Sequence, residues 1–498
     1  MKYIYIIALL IFSFGTVSCS DNLDLIPAYS INANNSVLDA AGARTAVNGI
    51  YKTIVDEDHF SGKVFVSFAS RSGFVQWSSS DYKMEYTQSN ETTTNIPNRW
   101  EDYYRTINAA NFAISKINEL PEVEFESGEK NAIIGEAKCL RAFANMFLFW
   151  NYGHWWTSDD TNPNGVFFRD GPVKLQNIDG ARLNVGESYA KIFEDLDFAI
   201  KYLGSFTSNR YVSKEFAKVL KAKIILYRNG FNDSGTSDTL NEALSLINEV
   251  LDTSVSGFSM QGDLAQVYED SWDSEENLFS SYVSDNPDRI NNISYAYSFN
   301  FASNYGNRVP SETYDAGLKF GLAWFTNDPR WDIVTGECRS AISWDATKRF
   351  TWTKLARRGQ YDGQHNSPQD LKYNTYYFRY PELYILKSEL LARTGASISE
   401  AIAPINTMRS KRTNPVLPSL NPTTQQELMD AIFIEYFLET FSENGSEYFA
   451  SLRFKDESGQ LWIDAIKEEP LNKDHLCYPI PNAEMQNNPL MNQNTNLQ

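Results

Sequence analysis

The chain has 498 residues, with 44 Lys and Arg against 63 Asp and Glu and a formal charge of −19. That length can bury a large core shared by about two to four structural parts, while the acidic balance disfavours non-specific binding to the phosphate backbone of nucleic acid. Aromatic residues are plentiful, at 28 Tyr, 31 Phe and 11 Trp; such rings suit flat ligands, although most aromatic side chains simply fill cores.

At the N-terminus, Lys2 precedes an apolar run from Ile4 to Phe14 and then Thr16-Val17-Ser18-Cys19. The run is too short for a permanent transmembrane helix and has the basic-then-apolar order of a secretory signal. A cysteine directly after small residues is the hallmark of a bacterial lipoprotein cleavage site. Residues 1–18 are therefore expected to be removed, and Cys19 to carry acyl chains that hold the protein on a membrane. The plainer alternative is an ordinary signal peptide with Cys19 incidental. Residues 19–34, acidic and interrupted by Pro27, read as a tether. The later cysteines, Cys139, Cys338 and Cys477, are odd in number and far apart, so neither a disulfide framework nor a Cys-x-x-Cys metal site follows.

Helical spacing begins with Ser36 as N-cap and continues through Val47, Ile50 and Ile54. Between Phe60 and Pro97 periodicity is lost, in a segment that carries Phe65, Phe68, Arg71, Phe74, Trp77, Tyr82 and Tyr86. A loop of that length and aromatic content is packed on the core edge or used for recognition. Helical spacing returns from Trp100 to Ile117, and Pro121 ends it. The longest helix-like run follows, with one apolar row at Ile133, Ala137, Leu140, Ala144 and Phe147 and a second at Cys139, Phe143, Met146 and Trp150. Only Lys138, Arg141 and Asn145 form a polar strip, so this helix is expected to be packed on two sides in the middle of a stack. Gly153 is expected to stop it in the left-handed conformation.

A turn-rich stretch from Gly153 to Gly186 follows, in which Val166-Phe167-Phe168 and Pro172-Val173-Lys174-Leu175 are candidates for paired strands. Helices are expected over Ser188 to Leu203, Ser213 to Phe231 and Leu240 to Leu251. From about Asp252 to Lys372 the pattern dissolves into a second aromatic-rich excursion, which contains Tyr295, Tyr297, Trp324 and the basic island Lys348 to Arg358. A third helical block is expected over Tyr376 to Arg393, Ser399 to Arg412 and Gln425 to Thr440. The Tyr478-Pro479-Ile480-Pro481 tail must be extended. The pair around Gly395 fits a tetratricopeptide-type unit of roughly 34 residues. The expected fold is mainly α: a tetratricopeptide-like helical repeat scaffold with a second lobe of irregular loops, short helices and a few short strands. The expected division is residues 35–251 and 252–498.

The residue types offer little for catalysis. His59, His154, His365 and His475 have no zinc-ligand spacing. No Gly-x-Ser-x-Gly elbow or P-loop occurs, and Asn232 to Asp238 lacks the full pattern of a calcium loop. No metal or cofactor is expected. Two convergent carboxylates for glycosidic cleavage remain an alternative that sequence cannot select.

Several segments carry a resemblance to a known family. Trp100, Tyr103, Ile107, Ala110 and Asn111, then Gly135-Glu136-Ala137-Lys138 with Arg141-Ala142-Phe143, then Asp195-Leu196 with Ala199, are similar to successive signatures of the SusD/RagB family. Tyr377, Arg379, Tyr380, Glu382 and Leu386, the Ile405-Asn406 pair with Arg409, and the tail with Glu484, Asn488-Pro489 and Gln493-Asn494 continue that order over nearly the whole mature chain. Departures lie at Glu447 and Ala450, where the family favours Arg and Asp, and at Tyr436, where Arg is common. The resemblance implies a surface-exposed, non-enzymatic outer-membrane lipoprotein that captures a glycan and delivers it to a SusC-like TonB-dependent transporter. A peptide cargo, a surface glycoside hydrolase and a structural transporter subunit are the alternatives. Loop context and similarity to where the family places its site point to Arg71, Trp77, Asp81 and Tyr82 from the first excursion and Tyr295, Tyr297 and Trp324 from the second as ligand contacts.

Overall fold

The computed structural model describes residues 36–56, 68–69, 71–74, 95–232, 237–280, 321–339, 348–352, 354, 375–473 and 476–494. The first helices are α1 (Ala40–Asp56), α2 (Asn95–Glu119) and α3 (Glu129–Tyr152), and α4 (Val185–Tyr202), α5 (Lys214–Asn232) and α6 (Ser237–Asp252) follow. Helix α1 starts later than the sequence suggested, because Asp39 rather than Ser36 caps it, its Oδ1 accepting the Gly42 N–H at 2.7 Å. Ala43, Val47, Ile50 and Ile54 form its buried stripe. Helix α2 starts earlier, at Asn95, since Pro97 falls in the first turn, where a missing N–H costs no helical bond.

Helix α3 is the centre of the stack, packed against α1, α2 and α4 and buried almost continuously from Ile133 to Tyr152. Burying each Leu or Phe of that run stabilises the fold by about 1.5–3 kcal/mol. Its polar strip does not face solvent. Arg141 donates to Asp195 of α4 at 2.7 and 2.8 Å and to Asn111 of α2 at 2.6 Å, and Lys138 adds a 2.9 Å bond to the same Asp195. The sequence signatures on α2, α3 and α4 are thus one buried polar link across three helices. Cys139 lies in the apolar face, where burial pushes its thiol pKa up.

Two expectations beyond α3 fail for identifiable reasons. Gly153 ends the helix in an extended conformation, φ −120° and ψ 167°, not a left-handed one. Glycine is needed there for space, because a Cβ would lie 2.3 Å from the Phe149 ring. Val166–Phe168 and Pro172–Leu175 do not pair as strands. Val166 O accepts from Leu183 N–H at 2.9 Å, and the Arg169 and Gly171 carbonyls accept from Asn111 Nδ2 at 2.9 and 3.2 Å, so side chains and a different segment take the groups a ladder would use.

The second excursion contains α7 (Leu264–Asp270), β1 (Asn277–Ser280), α8 (Leu322–Thr326), α9 (Trp331–Val334), β2 (Thr335–Arg339) and β3 (Lys348–Trp352). It returns through β4 (Tyr376–Arg379), after which come α10 (Tyr380–Arg393), α11 (Ile398–Lys411), α12 (Gln425–Thr440), α13 (Ser446–Ser451), α14 (Trp462–Lys467) and α15 (Asn482–Asn487). Strand β1 pairs antiparallel with β4, Asn277 opposite Arg379 and Ser280 opposite Tyr376. That pairing delays the third helical block to Tyr380, four residues past the expected start. Strands β2 and β3 form a second antiparallel pair, so the basic island begins as a strand. Helix α6 packs on α10, and α10 on α11 and α12, which continues the stack from the N-terminal helices into the C-terminal ones. Ser397 caps α11 in a capping box with Glu400, and Thr424 caps α12 with Glu427.

The C-terminal half is held by buried charge. Arg379 binds Glu443 at 2.8 and 3.0 Å, Glu276 at 2.8 Å and Glu439 at 3.0 Å. Arg330 binds Asp328, Glu435 and Glu439; Arg409 binds Glu435; Arg412 binds Glu276 and Glu439; Lys354 binds Glu443. Five cations thus face five carboxylates. Burial alone would raise the Glu439 pKa, yet Arg412, Arg379 and Arg330 hold it well below the usual carboxylate range. The network joins Glu276, Arg330, Lys354 and Arg379, which all come from the second excursion or its ends, to α11, α12 and the turn that follows α12.

Candidate functional site

Helix α12 places Phe433 and Phe437 four residues apart on one face, and Phe441 follows at the same spacing just beyond its end. The described end of the first excursion lands there: the Phe74 ring is 4.5 Å from Phe437 and 6.2 Å from Phe441. So does α8 of the second, with Phe325 at 4.9 Å from Phe437 and 5.8 Å from Phe441. The two aromatic-rich excursions therefore meet over one helix of the scaffold.

Trp324 lies at the rim of this cluster. Its indole is edge-on to Phe437 at 5.5 Å, to Phe433 at 6.0 Å and to Trp462 at 5.4 Å. Trp462, from α14, stacks on Phe433 at 4.9 Å with the planes 13° apart. Both indoles are half-buried, so each keeps surface available to a ligand while its orientation is fixed by its neighbours. Gly321, at φ +79°, starts α8; a Cβ there would come within 2.7 Å of the Phe437 ring, so only glycine lets the chain turn this close.

Of the ligand contacts expected from the sequence, Arg71 and Trp324 are described. Trp77, Asp81, Tyr82, Tyr295 and Tyr297 lie outside the described residues, as does Cys19. Arg71 points inward and is 2% exposed. Its Nη2 donates to Leu476 O, and its guanidinium sits 5.1 Å from the Tyr478 ring and 5.2 Å from the Tyr448 ring. There it fastens the extended tail to the scaffold. Trp324 alone reaches the rim. Trp462 escaped the sequence reading because a single tryptophan in the short segment after Gly459 has no periodic signal around it.

A small pocket in the stack is lined by Phe143, Trp150, Phe216 and Tyr377 with Lys223. Among the described residues no group of His, Cys, Asp and Glu is arranged to hold a metal ion.

Comparison with known proteins agrees with this architecture. A model described as "Starch-binding associating with outer membrane" matches residues 30–222, and the SusD family model matches residues 241–496. A SusD-like protein of Formosa agariphila is 25% identical over 444 residues, covering 80% of this chain and 79% of the relative. Among solved structures, NanU of B. fragilis superposes with a TM-score of 0.70 at 18% identity, covering 95% of this chain and 100% of its own. A laminarin-binding SusD-like protein does so with a TM-score of 0.66 at 18% identity, covering 92% and 100%. A SusD superfamily protein of Parabacteroides distasonis reaches a TM-score of 0.69 at 17% identity, covering 94% and 100%. With one family model covering more than half of the chain, the protein belongs to the SusD/RagB family.

Proposed function

We propose that this protein is a surface lipoprotein of the outer membrane that captures a glycan and passes it to a SusC-like TonB-dependent transporter, without chemistry of its own. The observation that carries the reading is the pair of half-buried indoles, Trp324 and Trp462, held at fixed orientation where both excursions meet the helical scaffold. A sugar's C–H face lies on such a ring while its hydroxyls bond to nearby polar groups, and a rigid frame presenting a few aromatic and polar residues is what that recognition requires. Trp77, Asp81, Tyr82, Tyr295 and Tyr297 belong to the same two excursions and are proposed as further contacts. The description of the N-terminal family model supports the outer-membrane placement, and the laminarin-binding relative supports a glycan as cargo. Acylation of Cys19 and a tether over residues 19–34 are part of the proposal.

The test uses the soluble fragment from Ser20 onward, run by affinity electrophoresis through a panel of polysaccharides, with the same mixtures then checked for cleavage products. Retardation without products, lost in Trp324→Ala and Trp462→Ala proteins that remain folded by circular dichroism, is expected. Cleavage products would replace capture with a hydrolase, and retardation unchanged in both variants would remove the indole pair from the site.

A further inference from the structure

Half of the large apolar side chains exposed among the described residues crowd one place: Val173, Leu175 and Ile178 from the segment between α3 and α4, and Leu490 from the tail. Leu175 is 88% exposed and Leu490 55%. Hydrogen bonds nevertheless pin the segment at every turn. Asn108 Oδ1 of α2 accepts the Val173 N–H at 2.9 Å, and Asn111 Nδ2 donates to Gly171 O at 3.2 Å. Arg169 donates to the Asn177 and Ile178 carbonyls, while Asn177 accepts the Lys174 N–H at 2.6 Å and donates to Pro172 O at 3.0 Å. The tail is fastened alongside by Asn488, which exchanges bonds of 3.2 and 2.9 Å with the Gly180 backbone and also accepts the Leu490 N–H at 3.2 Å. Neither the 3-10 turn Leu175–Asn177 nor α15, which Asn488 follows, buries a single residue. Polar groups of the scaffold thus fix two segments, 308 residues apart at Gly180 and Asn488, that add nothing to the core and hold apolar side chains outward. Single exposed leucines are ordinary, but a contiguous apolar group on a pinned frame marks an interaction surface.

We propose that this composite patch of Val173, Leu175, Ile178 and Leu490 is where the protein docks on an uncharged, apolar protein surface of the transporter. The proposal rests on the reading above that the cargo passes to such a transporter, and it adds the surface that makes the contact. Charge selects this occupant. Over residues 173–179 and 482–494 the charged side chains are Lys174, Asp179 and Glu484, and the other polar ones are all Asn or Gln. A lipid surface is bound through clusters of Lys and Arg beside bulky rings, and these two segments hold one Lys and neither Trp nor Phe. A second copy would bring two chains of formal charge −19 together. The core of a protein interface, by contrast, is apolar and poor in charge within a polar rim. A small patch suffices in this setting. The proposed tether over residues 19–34 reaches at most roughly 55 Å, which keeps a partner in the same membrane at high effective concentration. The patch shares no residue with the indole pair, so docking and cargo binding can be perturbed separately.

The experiment uses the full chain in the cells that make it, with Leu175→Cys or Leu490→Cys carrying a short thiol-reactive photocrosslinker. Cys139 and Cys477 are buried, the unsubstituted chain treated in the same way is the blank, and Val416→Cys, exposed on the loop between α11 and α12, is the control position. Irradiation is expected to join positions 175 and 490, but not 416, to a protein that mass spectrometry identifies as a TonB-dependent barrel. With the crosslinker at Ile178→Cys, adding Leu175→Asp and Leu490→Asp, or Leu175→Asp alone if the double change does not fold, is expected to lower that adduct about tenfold. No adduct above the blank, an adduct to lipid or to a second copy, or a barrel adduct undiminished by the aspartates overturns the docking assignment. The soluble fragment bearing the aspartates is expected to be retarded by polysaccharide as the wild type is. Retardation absent from the wild type overturns glycan capture while the barrel adduct, and the docking surface with it, stands.

Discussion

Replacing Glu447 by Gln is expected to stabilise the protein above neutral pH and to change it little below pH 5. Glu447 sits on α13 with its side chain wholly buried; one carboxyl oxygen accepts the Ser442 N–H at 3.0 Å, and the other has no hydrogen-bond partner. The nearest charges are Lys354 and Glu443, but these are already joined at 3.0 Å, and Arg379 also binds Glu443. Burial therefore dominates, and it pushes the Glu447 pKa up to about 7. Against the ordinary glutamate value of 4.5, that is a difference of about 2.5 units, or roughly 3 kcal/mol at 1.36 kcal/mol per unit. The sign follows from proton counts. Between about pH 4.5 and 7 the folded protein keeps a proton that the unfolded chain has lost, so stability falls as pH rises through this window and levels off above it. Glutamine carries no such charge. Urea unfolding at pH 5 and pH 8.5 should give wild type and E447Q within about 1 kcal/mol at the lower pH, and an advantage for the variant approaching 3 kcal/mol at the higher one. The other carboxylates titrate in both proteins and cancel in the difference. An advantage that does not grow between the two pH values would refute the assignment of a neutral, buried Glu447.

Arg379→Met leaves Glu276, Glu439 and Glu443 each short of a partner, and a loss of about 3–5 kcal/mol in urea unfolding is expected, because breaking one member of a buried ion network strands the others. Gly153→Ala forces a methyl into the Phe149 ring and the Asn164 carbonyl, and should lower the midpoint by an amount equivalent to about 1–3 kcal/mol. Tyr436→Phe should be neutral or stabilising by up to about 1 kcal/mol in the same assay, since the Tyr436 hydroxyl is buried without a hydrogen-bond partner and deleting it removes an unmet cost.

The helical scaffold was legible because each helix writes its burial into the sequence. Ile133, Ala137, Leu140, Ala144 and Phe147 recur at the period of the face they bury, and helices ended within a few residues of the places where proline or a polar cap demanded it. Boundaries shifted where tertiary contacts overrode the local pattern: Tyr376 to Arg379 looks helical in sequence yet forms β4, because Asn277 to Ser280 supplies a strand a hundred residues earlier. Gly153 looks like a conformational stop in sequence, whereas its role is to leave room for Phe149. Non-local causes of that kind have no signature within a window of a few turns.

The family signatures point to the frame and not to the cargo. Asn111, Arg141 and Asp195 meet one another inside the N-terminal stack, Arg379 and Arg409 each bind acids of α12 or the turn after it, and Glu382 takes Lys223 at 2.7 Å and Asn444 at 2.8 Å. Each of these residues is constrained by a buried partner whose removal strands a charge or a polar group, which is why the same residue types at the same spacing identify the fold. A residue that only touches ligand has no such partner inside the protein. Trp462 is held by Phe433, on which it stacks, and by the edge of Trp324, contacts that many aromatic pairs would satisfy.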